Sequence, residues 1–221
     1  MLAKVSLQEY GDAMSEKEPV ENTESDRADR VLDAGALRAL AHPLRVKIYD
    51  ILSQYGPQTA SSLAERLGES SGSTSYHLRA LAKHDLIHER AEQGSGRARW
   101  WERPVGGVSF ANAEAIKTPS GRAATQIVMN EFFKIRHDQL MAFIERGLAE
   151  HEPDWQEASM ISTATARLTP EQSKELSVKI MALIDDAVET HRTQTGPDVR
   201  PVTIRADVFP LPELGEQGAQ S

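Results

Sequence analysis

The feature that most constrains the fold is a short amphipathic segment that begins at Thr59 and stops abruptly at Gly68. Leu63 and Leu67 are four residues apart, so in a helix they share one face, and Thr59 is a suitable N-cap residue. Gly68 can adopt the left-handed conformation that ends a helix. The segment therefore predicts a short helix followed by a tight turn.

A second helical segment follows this turn at once, with Ser70 placed to cap it. Three of its residues recur at helical spacing on what we expect to be the inward face: Thr74, Leu78 and Leu81. Two short helices joined by such a turn are typical of a helix-turn-helix, in which the second helix can lie in the major groove of DNA.

Two strand-like runs come next, at residues 86–90 and 98–103, on either side of a turn at Gly94 and Gly96. They predict a β-hairpin, or wing, after the two helices. Trp100 and Trp101 lie in the second run. We expect these tryptophans to be structural, with at least one of them holding the wing against the helices.

This order of elements resembles the winged-helix domains of ArsR-like bacterial transcriptional regulators. The resemblance begins in the helical stretch 37–52, where Pro43 suits the first turn of a helix. It continues through Ser75-Tyr76-His77-Leu78-Arg79 and Trp100-Trp101, and covers residues 32–105, under half of the chain. It implies a homodimeric regulator, a repressor rather than an activator, whose second helices bind two half-sites about one helical turn apart.

The residues that this interpretation assigns to DNA lie in the second helix and the wing. Hydroxyl groups can reach phosphates or base edges, and arginine can bind phosphate or guanine. The predicted contacts in the helix are Ser71, Gly72, Ser73, Ser75, Tyr76, His77 and Arg79. In the wing, Arg97 and Arg99 could lie on the DNA backbone or in a minor groove. The alternative is an ordinary solvated face, and His77 is equally suited to packing.

The net charge of −8 argues at first against a nucleic-acid partner, but its distribution matters more. Residues 42–104 carry nine basic and seven acidic side chains, a net charge of +2. Residues 1–33 carry a net −5 and residues 105–221 a net −6. A modestly basic head on an acidic body suits a protein that needs specific DNA contacts and avoids indiscriminate phosphate binding.

The composition divides the chain into four parts. Residues 1–30 are acidic with almost no large apolar side chains, which predicts a disordered tail. Residues 31–105 form the predicted DNA-binding domain. Residues 106–209 are expected to hold a dimer together and to offer a place for an effector, and residues 210–221 form a flexible tail.

The C-terminal region begins with the longest helical candidate, residues 121–151. Its apolar surface is broader than one core contact needs, which predicts a dimer helix with contacts through Val128, Phe132 and Ile135. A strand at 155–168, a helix from 170 and a strand at 199–209 then predict a β-α-β element. If the strand and the helix close on each other, the element is only a dimer brace. If the long helix holds them apart, the apolar cavity between them would suit a non-metal effector. The expected fold is mostly α with a small β component (α+β).

Several other classes of function are disfavoured. The chain has no cysteine, which excludes disulfides and thiolate metal sites. His84 and His88 flank a turn rather than sharing a helical face, so we predict neither a metal nor another cofactor. The sequence contains no nucleophile elbow, phosphate loop or zinc-hydrolase motif, so we expect no enzymatic activity. Without a membrane-length apolar run or a signal peptide, we expect a cytoplasmic protein.

The favoured interpretation is therefore a sequence-specific, homodimeric DNA-binding regulator that responds to an unknown effector. Two alternatives stay open. One is a winged-helix module that docks a protein partner. The other is a small-molecule-binding protein that does not bind DNA.

Overall fold

The computed structural model describes residues 30–90, 99–104, 106, 108–109, 112, 114–147 and 152–212. The predicted acidic tail, apart from residue 30, and the predicted C-terminal tail beyond residue 212 lie outside the described residues. Arg97 and the turn at Gly94 and Gly96 lie outside them too.

The structure is mostly helical with a small antiparallel sheet, which confirms the predicted fold class. Its first elements are β1 (Arg30–Val31), α1 (Ala34–Leu40), α2 (Pro43–Tyr55), β2 (Gln58–Thr59), α3 (Ala60–Leu67), α4 (Ser71–Ala82), β3 (His88–Arg90), β4 (Trp100–Glu102) and β5 (Val108–Ser109). They are followed by a 3-10 turn (Ala115–Lys117), α5 (Pro119–Ala142), a π-helical turn (Phe143–Gly147), α6 (Pro153–Glu157) and α7 (Pro170–His191).

Local capping signals explain where the helices begin. His42 caps α2, because its Nδ1 accepts a hydrogen bond from the Leu44 N–H at 3.1 Å while Pro43 occupies the first helical position. Thr169 and Gln172 form a reciprocal capping box at the start of α7. Both helices therefore start where the sequence predicts.

The wing belongs to a three-stranded antiparallel sheet in the order β2-β4-β3. Trp101, in the central strand, pairs with Gln58 on one side and Glu89 on the other. Its side chain is buried in the core, so it holds the wing to the helices as predicted. A second pair, parallel β1 and β5, was not predicted and joins the start of the domain to the chain after the wing.

One apolar core lies between α1, α2, α3, α4 and the inner face of α5. Its largest fully buried side chains are those of Leu32, Leu37, Leu40, Ile48, Leu63, Leu78, Leu81, Leu86 and Ile87. Ala124 and Val128 of α5 complete this core. The long helix is thus an integral part of the domain that carries the helix-turn-helix.

The packing of α5 corrects one prediction. Val128 is fully buried within its own chain, so its side chain is not available to a second copy. Phe132 and Ile135, also predicted as dimer contacts, are half-buried and pack against the same core. On the opposite side of the helix Phe133 and Leu140 stay exposed, and so does Ile144 in the π-helical turn that follows. Ile127 is exposed at a different angle around α5.

The C-terminal region corrects a second prediction. The helix of the predicted β-α-β element is present as α7, but residues 159–169 and 199–212 form no strand, and Trp155 lies in α6. Met160 is 85% exposed and α7 has no buried residue, so its faces form neither the closed brace nor the apolar cavity that the sequence left open. A strand needs a neighbouring strand for its backbone N–H and C=O groups, and no described strand pairs with these segments.

Polar contacts nevertheless hold the end of the described chain along α5. The Arg205 guanidinium donates to the Gln139 side chain and to the Arg136 carbonyl. Arg136 pairs with Asp207 at 2.8 Å. Gln139 also donates to Gln54 of α2 at 3.0 Å, so these contacts connect the C-terminal segment to the N-terminal domain.

Candidate nucleic-acid interface

Side chains satisfy exposed backbone groups at the start of α3 and in the turn between α3 and α4. The Ser62 N–H donates to the Thr59 hydroxyl at 3.1 Å, and the Thr59 N–H donates to the Ser62 hydroxyl at 3.0 Å. Gly68 ends α3 with a φ of +67°, in the left-handed region that favours glycine. Ser70 then accepts from the Ser73 N–H and begins α4. These caps confirm the predicted helix-turn-helix.

The inward face of α4 is fixed by one polar and two apolar anchors. Thr74 is fully buried, and its hydroxyl donates to the Ala60 carbonyl at 2.8 Å. Leu78 and Leu81 are fully buried in the core below it. Because these three anchors share one side of the helix, the opposite side must face solvent.

That outward side carries four exposed residues spaced three or four apart: Gly72, Tyr76, Arg79 and Lys83. Tyr76 is 64% exposed, which is high for an aromatic side chain. Neither Arg79 nor Lys83 has an ion-pair partner within the described residues. The face therefore combines an exposed ring, two uncompensated cations and a position without a side chain.

The structure separates the residues predicted to contact DNA into three groups. Ser71, Gly72, Tyr76 and Arg79 are exposed, whereas Ser73 and Ser75 are half-buried at the sides of α4. Only 9% of His77 is exposed. The exposed members are those that a large ligand could reach without any rearrangement of α4.

His77 packs inward instead of facing out with its neighbours. Its ring lies 4.6 Å from the ring of His42, the cap of α2, and 5.2 Å from the ring of Tyr76 in an edge-on contact. Burial, followed by the charges of His42 and Arg45, lowers the pKa of His77, while Glu69 acts in the opposite direction. His77 thus takes the packing role that its sequence position left open, and it supports Tyr76 from behind.

The described part of the wing contributes Arg99 beside the sheet. Its side chain is mostly exposed and lies 3.7 Å from the Glu89 carboxylate. Arg90 and His88 both face Glu102, at 3.4 and 3.1 Å. Exposed pairs of this kind are weak, so Arg90 and Arg99 can exchange a carboxylate for another anion at little cost.

Sequence reasoning missed two cations near this surface. Lys83 follows Arg79 by four residues, a spacing that could have revealed it as part of the same face. Arg45 belongs to the first turn of α2, and only the packing of α2 against α4 brings it near Tyr76 and His77. No sequence spacing connects it to these residues.

Nothing in the described residues forms a metal centre, since no three histidine, aspartate or glutamate side chains cluster there. His84 lies in the turn after α4 and His88 lies in β3, facing Glu102. The helices within the described residues are all too short or too polar to cross a membrane.

Comparison with known proteins agrees with this geometry. Residues 40–90 match the model of a family described as a helix-turn-helix domain. No curated protein matches the chain. The matched residues run from the end of α1 to the end of β3, so the family match coincides with the helix-turn-helix that the structure forms.

Two solved structures are similar to parts of the chain. A possible transcriptional regulator for arsenical resistance is 26% identical, with 49% of this chain and 94% of that chain covered and a TM-score of 0.29. The adhesin competence repressor AdcR of Streptococcus pyogenes is 16% identical, with 66% and 81% covered and a TM-score of 0.29. At such scores neither structure bears on the architecture of the whole chain.

Proposed function

We propose that this chain, a helix-turn-helix transcription regulator of the ArsR-like type, binds operator DNA as a homodimer and represses transcription. The observation that carries the proposal is the outward face of α4, with Gly72, Tyr76, Arg79 and Lys83 in line on a helix whose other side is anchored in the core. An anchored helix with uncompensated cations suits a polyanion with a groove of helix width. No catalytic role is proposed for any residue.

The side chains of this face have distinct roles in the proposal. Arg79 offers a planar guanidinium that can bind guanine or a phosphate in a bidentate manner. Lys83, one turn further along, offers a point charge for a backbone phosphate. Gly72 lies in the first turn, where the absence of a side chain permits the helix to approach a base edge. Ser71 and Tyr76 add hydroxyl groups on either side.

The wing would add contacts beside the groove. Among the described residues Arg99 pairs only with the exposed Glu89, so exchange of this carboxylate for a phosphate costs little. Arg97 stays a prediction from the sequence.

Dimer formation is supported by apolar surface that the chain does not bury. Phe133 and Leu140 lie on the outer side of α5, and Ile144 follows in the π-helical turn. In α7, a helix of 22 residues without a buried residue, the exposed large apolar side chains are Leu176, Val178, Met181, Leu183 and Val188. A second copy that covered these helices would bury both surfaces and place two α4 helices on successive half-sites.

An effector remains part of the proposal, without a site assigned to it. Arg205 and Gln139 connect the C-terminal segment to Gln54 of α2, so a ligand that moved this segment would also act on the domain that carries α4. Such a ligand changes DNA affinity only by its differential affinity for the two arrangements. A thermal-shift screen of apolar metabolites and of metals tests this. Stabilisation by zinc or nickel alone, reversed by a chelator, would contradict a non-metal effector.

The main experiment measures binding to DNA from upstream of the chain's own coding sequence and to a scrambled duplex of equal length. We expect tighter binding to the upstream DNA, with affinities that fall steeply as the salt concentration rises. Arg79→Ala should lower the preference for the upstream DNA. The matched control is Arg192→Ala, which removes one arginine from the end of α7, where it pairs with Glu189.

The two alternatives give different results in the same experiment. A protein-docking module or a small-molecule-binding protein would bind neither duplex in a salt-dependent manner. Salt-dependent binding without any preference would support a DNA-binding protein but contradict operator recognition.

A further inference from the structure

Arg45 is a cation without a counter-ion in the described part of the chain. It lies in the first turn of α2, where its N–H donates to the His42 carbonyl at 2.9 Å. Its side chain is half-buried, and its Nε atom is buried with no hydrogen-bond partner. No described carboxylate forms an ion pair with it. Burial lowers the pKa of Arg45, which indicates that its charge is partly desolvated.

The groups that surround Arg45 do not offset its charge. The rings of His42 and His77 contact each other, and His77 interacts electrostatically with Arg45, but neither ring can supply a negative charge. The Nδ1 atom of the buried His77 also has no hydrogen-bond partner. Glu69 interacts with His77 but forms no ion pair with Arg45. A partly desolvated guanidinium is stabilised by an anion, and the described residues supply none to Arg45.

Tyr76 connects this cation to the outward face of α4. Arg45 and Tyr76 interact electrostatically, and the exposed Tyr76 ring rests edge-on against the buried His77 ring. Arg45 therefore lies at the edge of the face rather than on it. When a helix enters a major groove, the phosphates of the DNA backbone pass along the edges of that helix.

We propose that Arg45 and the Tyr76 hydroxyl together bind one backbone phosphate of the DNA at the edge of the groove that α4 enters. The proposal rests on the proposed function and deepens it. Arginine supplies a planar pair of donors that matches two phosphate oxygens, and the phenol supplies a third donor. His77 acts as a positioning residue, since its ring supports Tyr76. The contact is to the backbone, so it strengthens binding to every sequence.

The test is a salt titration of DNA binding with variants of the full chain. Arg45→Gln keeps the length of the side chain and removes its charge. For each phosphate that the variant no longer neutralises, the slope of log affinity against log salt should flatten by about 0.9, or roughly twice that for a dimer. Binding should weaken equally on upstream and scrambled DNA. Arg45→Lys and Tyr76→Phe should both keep the slope, because neither removes a charge. Tyr76→Phe should nevertheless bind DNA more weakly. The control, Arg192→Gln at the end of α7, should match the wild type in both slope and affinity.

A second measurement identifies the phosphate and does not depend on the stability of Arg45→Gln. In a series of duplexes, one backbone phosphate at a time is replaced by a neutral methylphosphonate. Substitution at one position per half-site should weaken DNA binding by the wild type. The same substitution should weaken binding by Arg45→Lys less, and should not affect binding by a folded Arg45→Gln.

The outcomes separate the two levels of the proposal. If the wild type binds DNA with a steep salt slope but Arg45→Gln keeps that slope, the Arg45 contact is wrong and the regulator function stands. If no methylphosphonate position distinguishes Arg45→Lys from the wild type, the contact is likewise wrong. If the wild type binds no DNA, the proposed function fails and this contact fails with it.

Discussion

The Thr74 hydroxyl lies 2.8 Å from the Ala60 carbonyl oxygen, and this hydrogen bond connects α4 to the first residue of α3. Thr74 is fully buried, so no water replaces the bond if it is broken. The bond fixes how α4 is rotated about its own axis. It therefore helps to decide which residues of α4 face outward.

Replacing Thr74 with valine keeps its shape and removes the hydroxyl. Loss of a hydrogen bond of this kind typically costs about 0.5–1.5 kcal/mol, and we expect the free energy of unfolding to fall by that amount. Thr74→Ser, which keeps the hydroxyl and removes a methyl group, is the matched control and should keep the orientation of α4 and its DNA affinity. Denaturant unfolding measures the stability. A Thr74→Val protein as stable as the wild type would contradict this role.

Gly72→Ala separates stability from DNA binding. The added Cβ atom would meet only the Ser70 Oγ atom, at 3.9 Å, and alanine is favoured over glycine in a helix by roughly 0.5–1 kcal/mol. The variant should be at least as stable as the wild type in thermal unfolding. Its affinity for DNA should nevertheless fall, because the new methyl group lies on the outward face. Unchanged affinity would remove Gly72 from the interface.

Gly121→Ala should be destabilising, against the helix preference for alanine. A Cβ atom at this position would lie 1.8 Å from the Ala115 carbonyl oxygen, so the 3-10 turn and the start of α5 would have to move apart. Overpacking of this kind typically costs about 1–3 kcal/mol. The control is Ala123→Gly, at an exposed position in the same helix, which measures only the preference of a helix for alanine over glycine. If Gly121→Ala unfolds at or above the wild-type temperature, this close packing is not required.

The stability of the protein should depend on pH through His77. Its pKa in the folded chain lies below the ordinary value of 6.5, mainly because the ring is buried and secondly because of His42 and Arg45. Below pH 6.5 the unfolded chain therefore binds the proton first, and the free energy of unfolding falls until the pH is below the folded pKa. Above pH 6.5 the neutral, buried His77 makes its full contribution to the free energy of unfolding. His77→Phe should have a flatter profile in denaturant unfolding from roughly pH 5 to 8; parallel profiles would exclude this role.

The two sides of α5 should respond differently to a charge. Phe133 is 50% exposed, so Phe133→Asp should leave the protomer folded and produce monomers in sedimentation experiments. Val128→Asp buries a carboxylate in the core and should unfold the protein. Ile127→Asp, exposed at a different angle around the helix, is the control and should stay dimeric. If Phe133→Asp remains a dimer, the interface lies elsewhere, and α7 is the next surface to test.

The helix-turn-helix was predictable because its signals are local. Thr59, Gly68 and Ser70 act on backbone groups within three or four residues of themselves, and they need no partner from a distant part of the chain. The spacing of Leu78 and Leu81 behind Thr74 determines the inward side of α4 in the same way. These residues alone predicted where α3 ends, where α4 begins and which side of α4 faces outward.

The roles of His77, Val128 and Arg45 depended on the tertiary structure, because each is defined by a partner distant in the sequence. His77 turns inward since the cap of α2 supplies a ring for it to pack against. Val128 belongs to the core because α1 and α2 cover it, although its helix has apolar residues on both sides. Apolar periodicity indicates which face of a helix is buried, but it does not indicate which other element packs against that face.

The segments predicted as C-terminal strands illustrate the same limit. Residues 199–209 alternate between apolar and polar side chains, yet a strand forms only where another backbone accepts and donates its hydrogen bonds. In the described chain Arg205 and Asp207 instead tie this segment to α5 by side-chain contacts. Local sequence determined where the helices begin and end, and the tertiary structure decided which partners their faces received, because pairing over long sequence distances is not encoded in the spacing of neighbouring residues.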